Sequence, residues 1–209
     1  MTAAVAGIDV GERLVHCALT DATGRILECA SLEAGDTAAL VAMCSGTAAV
    51  AIDAPQSPST SPHADDTGLA RKFRAARCAE IELGRAHGSW VPWVAPTSPP
   101  FPPWMDVGFA VYRALAGTEL LEVYPYAAFR ELAGGRRPAR KSTPAGRAER
   151  AELLARAGLG GTPLAERPSH DTLDALVAAL VALDRARGRA RPVTCGHDGS
   201  AIWLPGRLR

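Results

Sequence analysis

The chain has 209 residues, 47% hydrophobic and 22% charged, with a formal net charge of +1. That length supports one substantial core and is short for two full domains, and the composition is ordinary for a soluble globular protein. The sequence contains no apolar run of about eighteen residues, so a membrane partner is not expected, while near-neutral net charge neither requires nor excludes nucleic acid, because local patches outweigh the sum.

The N-terminus, MTAAVAGIDV, lacks a basic start before an apolar signal core; it reads as a first strand, and a cytoplasmic location is expected. Residues 4–10 form a buried strand ending at Asp9–Val10–Gly11. Residues 13–20 and 25–32 follow as two more short strands around a turn at Asp21–Gly24, which predicts an antiparallel meander. A helix is expected over 36–45, and AAVAID at 48–53 reads as a buried parallel strand that again ends in Asp. A Pro/Ser loop over 54–68 leads to a helix over 69–86 with one basic side. Residues 88–104 then hold six prolines and three tryptophans, Trp90, Trp93 and Trp104. Such a stretch, about 87–104, is expected to be a functional insertion loop or lid. A helix over 105–116 precedes a fifth strand at 120–125, where Pro125 stops the strand and opens the next helix. Residues 134–150 carry six Lys/Arg and one Glu as a basic loop, about 134–147, running into a helix. Residues 170–188 form the clearest helix, and the tail suggests a small terminal strand or hairpin. The expected architecture is one α/β domain over 1–209. Its mixed five-stranded sheet has three antiparallel and then two parallel strands, with helices on both faces.

Four aspartates hold special places in that frame. Asp9 and Asp53 end two strands that would be parallel neighbours, so both carboxylates emerge at one sheet edge. Asp171 and Asp174 lie three apart on the first turn of the long apolar helix and share a face. If that helix crosses the two strands, all four converge. Converging carboxylates repel unless cations sit between them, and hard oxygen donors select Mg²⁺ or Mn²⁺. Two such ions about 4 Å apart activate a water and stabilise the leaving oxygen of a phosphodiester. The plainer reading makes Asp9 and Asp53 turn residues, and the Asp171/Asp174 pair a favourable charge at a helix N-terminus with Ser169 or Asp171 as cap. Glu122 is either a fifth metal ligand or the partner of a basic side chain. Arg71, Arg74, Arg77 and Arg85, with Arg136, Arg137, Arg140, Lys141, Arg147 and Arg150, form two basic groups. They either grip phosphates or make solvated faces. The tryptophans either stack on bases or cap the core. The five cysteines, Cys17, Cys29, Cys44, Cys78 and Cys195, are odd in number and form no CxxC pair, so buried or half-buried free thiols are expected.

The motifs GIDVG (7–11), AIDAP (51–55), RCAEIEL (77–83), EVYP (122–125) and HDTLDALVAAL (170–180) together resemble the DUF429 family, a group of predicted nucleases with an RNase H-like fold. The resemblance implies an acidic metal site at Asp9, Asp53, Asp171 and Asp174, similar to that of Holliday-junction resolvases, and a role for Arg77 and Glu122. The sequence departs from the family pattern at Ala79, where an acidic residue follows the Arg-Cys pair; Glu80 is its candidate substitute. The leading expectation is an Mg²⁺- or Mn²⁺-dependent nuclease, with Asp9, Asp53, Asp171, Asp174 and Glu122 at the metal, and Arg74, Arg77, Arg137 and Lys141 at the nucleic acid. A non-catalytic binding or scaffold protein of the same fold is the alternative. The segment 7–27 also resembles the first phosphate motif of actin-like sugar kinases, but those use two such domains and a second glycine-rich loop.

Overall fold

The computed structural model describes residues 4–166 and 168–207. Strands β1 (Val5–Val10), β2 (Leu14–Thr20) and β3 (Ile26–Glu33) form the expected antiparallel meander. The Asp21 carboxylate shapes the β2–β3 turn by accepting hydrogen bonds from the N–H groups of Thr23 and Arg25. Helix α1 (Thr37–Met43), capped by Asp36, returns the chain to β4 (Ala49–Asp53), which pairs parallel with β1. After α2 (Cys78–His87) and α3 (Pro103–Ala114), β5 (Glu119–Val123) adds parallel to β4. Pro125 opens α4 (Pro125–Leu132), followed by α5 (Pro144–Arg156), the one-turn α6 (Thr162–Ala165) and α7 (His170–Ala186).

Among the described residues the sheet has seven strands rather than the expected five, in the order β3-β2-β1-β4-β5-β7-β6. The two extra strands, β6 (Arg191–Val193) and β7 (Ile202–Leu204), come from the tail: β7 pairs parallel with β5, and β6 antiparallel with β7. They form the small terminal hairpin the tail suggested; what was not expected is that it joins the sheet, through the open edge of β5.

Both faces of β1 are buried. Val5 faces a core shared with α4, α5 and α7, whereas Ala6, Ile8 and Val10 face one shared with α1 and α3. Helix α7 is enclosed from Leu173 to Asp184 and lies directly on β1. Gly7 permits this approach: a Cβ there would fall 2.0 Å from the Ala179 nitrogen and 2.2 Å from the Ala175 oxygen. Both are helix backbone atoms that cannot step aside. Gly7→Ala is therefore expected to destabilise the fold by about 3 kcal/mol or more. An unchanged urea midpoint would show that α7 can ride higher on the sheet than its packing implies.

Two further expectations need correction. The helix expected over 69–86 is divided into a 3₁₀ turn at Arg71–Ala75 and α2, because Arg77 is extended (φ −72°, ψ 159°) as the residue that starts α2. The cysteines are not all free: Cys78 and Cys195 form a disulfide, with Cα atoms 5.3 Å apart across 117 residues. Folding of the segment after β6 over the start of α2 creates that proximity, which spacing alone does not reveal. Cys17 and Cys44 are buried free thiols, and Cys29 is a half-buried one. Among the described residues, no helix is long and apolar enough to cross a membrane.

Candidate active site

Asp9 and Asp53 are register partners at the ends of β1 and β4. The backbone after Asp53 is held on two sides. The Tyr112 hydroxyl donates to the Ala54 carbonyl at 3.1 Å, and Gly108 lets α3 close to the Ala54 methyl, where any Cβ would clash at 2.6 Å. On the other side, the Gln56 N–H donates to Glu122 Oε2 at 2.9 Å. The two aspartates line a pocket of about 340 Å³ that also takes in Asp171, Lys141, Trp93 and Trp104.

Helix α7 brings its N-terminal turn to this edge, with Ser169 as cap accepting from the Thr172 N–H. Asp171 sits at the pocket rim between two histidines, 3.1 Å from His170 Nδ1 and 3.9 Å from His16 Nε2. Asp174, one turn deeper and 2% exposed, accepts from Lys141 Nζ at 2.6 Å. Burial, reinforced by repulsion from Asp174, pushes the Asp9 carboxyl up to about 7. Burial and the facing Asp9 push Asp53 well above the ordinary range. Asp174 is also raised, chiefly by burial, with Lys141 opposing. Burial works against the charge on Lys141, but Asp174, Asp9 and Asp53 together hold its ammonium more firmly protonated than usual. At neutral pH the edge is thus a strained set of acids with one lysine among them.

Lys141→Met tests that balance. Without the ammonium, the Asp9 titration midpoint is expected to rise further, above about 7, and the protein to lose about 2 kcal/mol at neutral pH because Asp174 is left buried and unpaired. Carboxyl-carbon NMR titration and urea denaturation read the two effects. A midpoint that stays put would mean that Lys141 does not act on the pair.

The structure separates the other candidates. Arg77, expected at a phosphate-gripping face, is 2% exposed. Its guanidinium donates to Glu122 at 2.6 and 2.5 Å and to Glu80 at 2.9 and 3.2 Å, so its charge is spent internally. Glu122 therefore pairs with Arg77 and orders the backbone after Asp53, which was the second of its two sequence readings. Glu80 also accepts the Arg77 N–H at the start of α2. Arg150 is buried against Phe129, Arg85 pairs with Asp66 at 2.8 Å, and Arg136 pairs with Glu149. Arg74 is half-buried, with its Nε donating to the Leu69 carbonyl at 3.4 Å. Arg137 is exposed beside a second depression shared by Asp53, Lys141 and Asp174. Trp90 covers α2, packed against Gly84 with its ring tilted 4.5 Å from that of Phe73, whereas Trp93 is 65% exposed at the pocket wall. His16, for which the sequence favours only a structural or solvent-facing role, is the β2 register partner of Asp9. The tight β1–β2 turn is the signal that could have found it, because that turn sets which residue faces Asp9.

The donor set is compatible with a hard divalent cation. Asp9 and Asp53 offer paired oxygens, and Mg²⁺ is commonly held by one or two carboxylates with water completing its shell. Among the described residues, no three of these acids bring one oxygen each within 4.8 Å of one another, so a larger protein ligand set is not assembled.

Residues 107–197 match the family model described as "Protein of unknown function (DUF429)". The DUF429 match takes in EVYP and the Asp171/Asp174 helix, while GIDVG, AIDAP and RCAEIEL precede it. No curated protein matches the chain. Among solved structures, the chain is similar to one titled "Thermus thermophilus RuvC structure", with 19% identity, 89% of this chain and 95% of that chain covered, and a TM-score of 0.45. It is also similar to "T. thermophilus RuvC in complex with Holliday junction substrate", with 16% identity, 96% and 99% covered, and a TM-score of 0.43.

Proposed function

We propose that this chain is an RNase H-like, metal-dependent nuclease that hydrolyses phosphodiester bonds of nucleic acid. The observation that carries the reading is the in-register pairing of Asp9 and Asp53 at the ends of adjacent parallel strands, inside a pocket shared with Asp171 and Lys141. Asp9 and Asp53 would hold Mg²⁺ or Mn²⁺, with Asp171 approaching from the rim. The bound ion would neutralise phosphate charge and make water a better nucleophile. The remaining residues bind and orient. Lys141, with its side chain 48% exposed, can turn from Asp174 towards a phosphate, and Arg137 adds charge on the same side. Trp93 offers an exposed aromatic face to an unpaired base. Asp174 positions Lys141.

One observation favours a second reading, a binding module without catalysis. The Lys141 ammonium already neutralises part of the acidic cluster, as a permanent substitute for a cation would. Calorimetry with Mn²⁺ and Mg²⁺, on wild type and Asp53→Asn, separates the two. The nuclease reading expects binding that Asp53→Asn abolishes, together with divalent-dependent cleavage of single-stranded, duplex or branched oligonucleotides. Wild type that binds no ion, with or without an oligonucleotide, would leave the binding module.

A further inference from the structure

A second cluster lies outside the carboxylate edge. His63 from the Pro/Ser loop, Cys78 at the start of α2 and Cys195 from the loop after β6 place one ligand atom each within 4.8 Å of one another. We propose that in the reduced protein these three side chains form a Zn²⁺ site that clasps the three segments together. The proposal is independent of the nuclease reading.

Two thiolates and an imidazole are the soft and borderline donors that select zinc over magnesium. His63 Nε2 lies 3.5 Å from Cys78 Sγ. Tetrahedral zinc, with Zn–S of about 2.3 Å and Zn–N of about 2.0 Å, sets its sulfur and nitrogen ligands about 3.5 Å apart. Cys78 is fully buried at the first turn of a ten-residue helix, where the backbone N–H groups favour the thiolate. The surroundings are already fixed: Asp198 accepts the Cys78 N–H at 2.9 Å, and Ser200 Oγ accepts the Ala79 N–H at 3.0 Å. Asp198 also accepts from the Ser200 N–H and hydroxyl, and it supplies no donor to the three-residue cluster. A water would complete the tetrahedron.

The Cys78–Cys195 disulfide and the metal are alternatives, because each uses both sulfurs. A trialkylphosphine converts one form to the other: phosphine, water and the disulfide give phosphine oxide and two thiols. Zinc binding then releases the two thiol protons to solvent. Cys78 directly follows Arg77, so the clasp anchors the residue that holds Glu122 and, through it, the backbone after Asp53.

The test is a Co²⁺ titration of the full chain, reduced with a trialkylphosphine and freed of it under inert gas. The expected result is a thiolate-to-cobalt charge-transfer band with the intense ligand-field bands of a tetrahedral site, both removed by added Zn²⁺. Cys195→Ser and His63→Ala should lose or displace these bands, whereas Cys29→Ser and Asp53→Asn should keep them; the last separates this site from any ion at the carboxylates. Reoxidising wild type with a diazene oxidant, which takes up two electrons and two protons to become a hydrazine, should also erase the bands, and this does not depend on any variant folding. Absence of the charge-transfer band in reduced wild type, or its persistence unchanged in Cys195→Ser, would overturn the proposal.

Discussion

Asp9→Asn is expected to stabilise the metal-free protein by about 4 kcal/mol at pH 8 while abolishing divalent-cation binding. Asp9 is almost enclosed, and its carboxyl is raised from the ordinary 3.8 to about 7 by burial and by Asp174. The folded state therefore holds a proton that the unfolded chain releases near pH 4. Between about pH 4 and pH 7 the folded form binds more protons than the unfolded form, so stability is greatest at the acidic end and falls as pH rises through that window. The displacement corresponds to about 4 kcal/mol. Asparagine keeps the shape without the charge, relieves Asp53, whose own elevation is due partly to Asp9, and should flatten the pH dependence. Urea denaturation with a chelator at pH 5 and pH 8 checks this. A variant no more stable than wild type at pH 8 would show that the charge on Asp9 is already compensated. Gain of stability with loss of ion binding is the signature of a residue kept for its chemistry rather than for the fold.

Arg77→Met is expected to act in the opposite direction, costing about 3–5 kcal/mol at neutral pH. Glu80 and Glu122 are 1% and 4% exposed, and the guanidinium is what their carboxylates share. Removing it leaves two buried carboxylates without their counter-charge, a far larger penalty than the net gain the intact group contributes. Arg77→Lys should recover little, because a point charge cannot reproduce the fork that meets both carboxylates. Adding Glu122→Gln to Arg77→Met should recover part of the loss. The damage should also reach the carboxylate edge, since Glu122 accepts the Gln56 N–H three residues beyond Asp53. Urea unfolding gives the energetic cost, and the Asp53 carboxyl resonance reports the displacement. A loss below about 1 kcal/mol would mean that water reaches the two glutamates.

Much of the site could be read locally. Apolar runs that end in aspartate placed Asp9 and Asp53 at strand ends, and the meander followed by a helix-linked return made those strands parallel neighbours. The long apolar helix put Asp171 in its first turn, with Asp174 one turn deeper on the same face, and Pro125 marked the end of β5 and the start of α4. The elements themselves depend on residues within a few positions of one another, where hydrophobic periodicity and turn chemistry act directly, and the strand adjacency follows from their order along the chain.

The partners of those residues are another matter. Lys141 reaches Asp174 across 33 residues, Arg77 reaches Glu122 across 45, and Cys78 meets Cys195 across 117. The same basic side chains read equally well as a phosphate-binding face until packing put Arg77 and Arg150 inside and left Arg137 outside. The tail's small hairpin was legible in the sequence, but its place beside β5 was not. Sequence by itself determined where the acidic side chains stand on their elements, because strand and helix periods are local. Only the tertiary structure decided which charge neutralises which, because a buried charge takes whatever partner the packing of distant segments delivers.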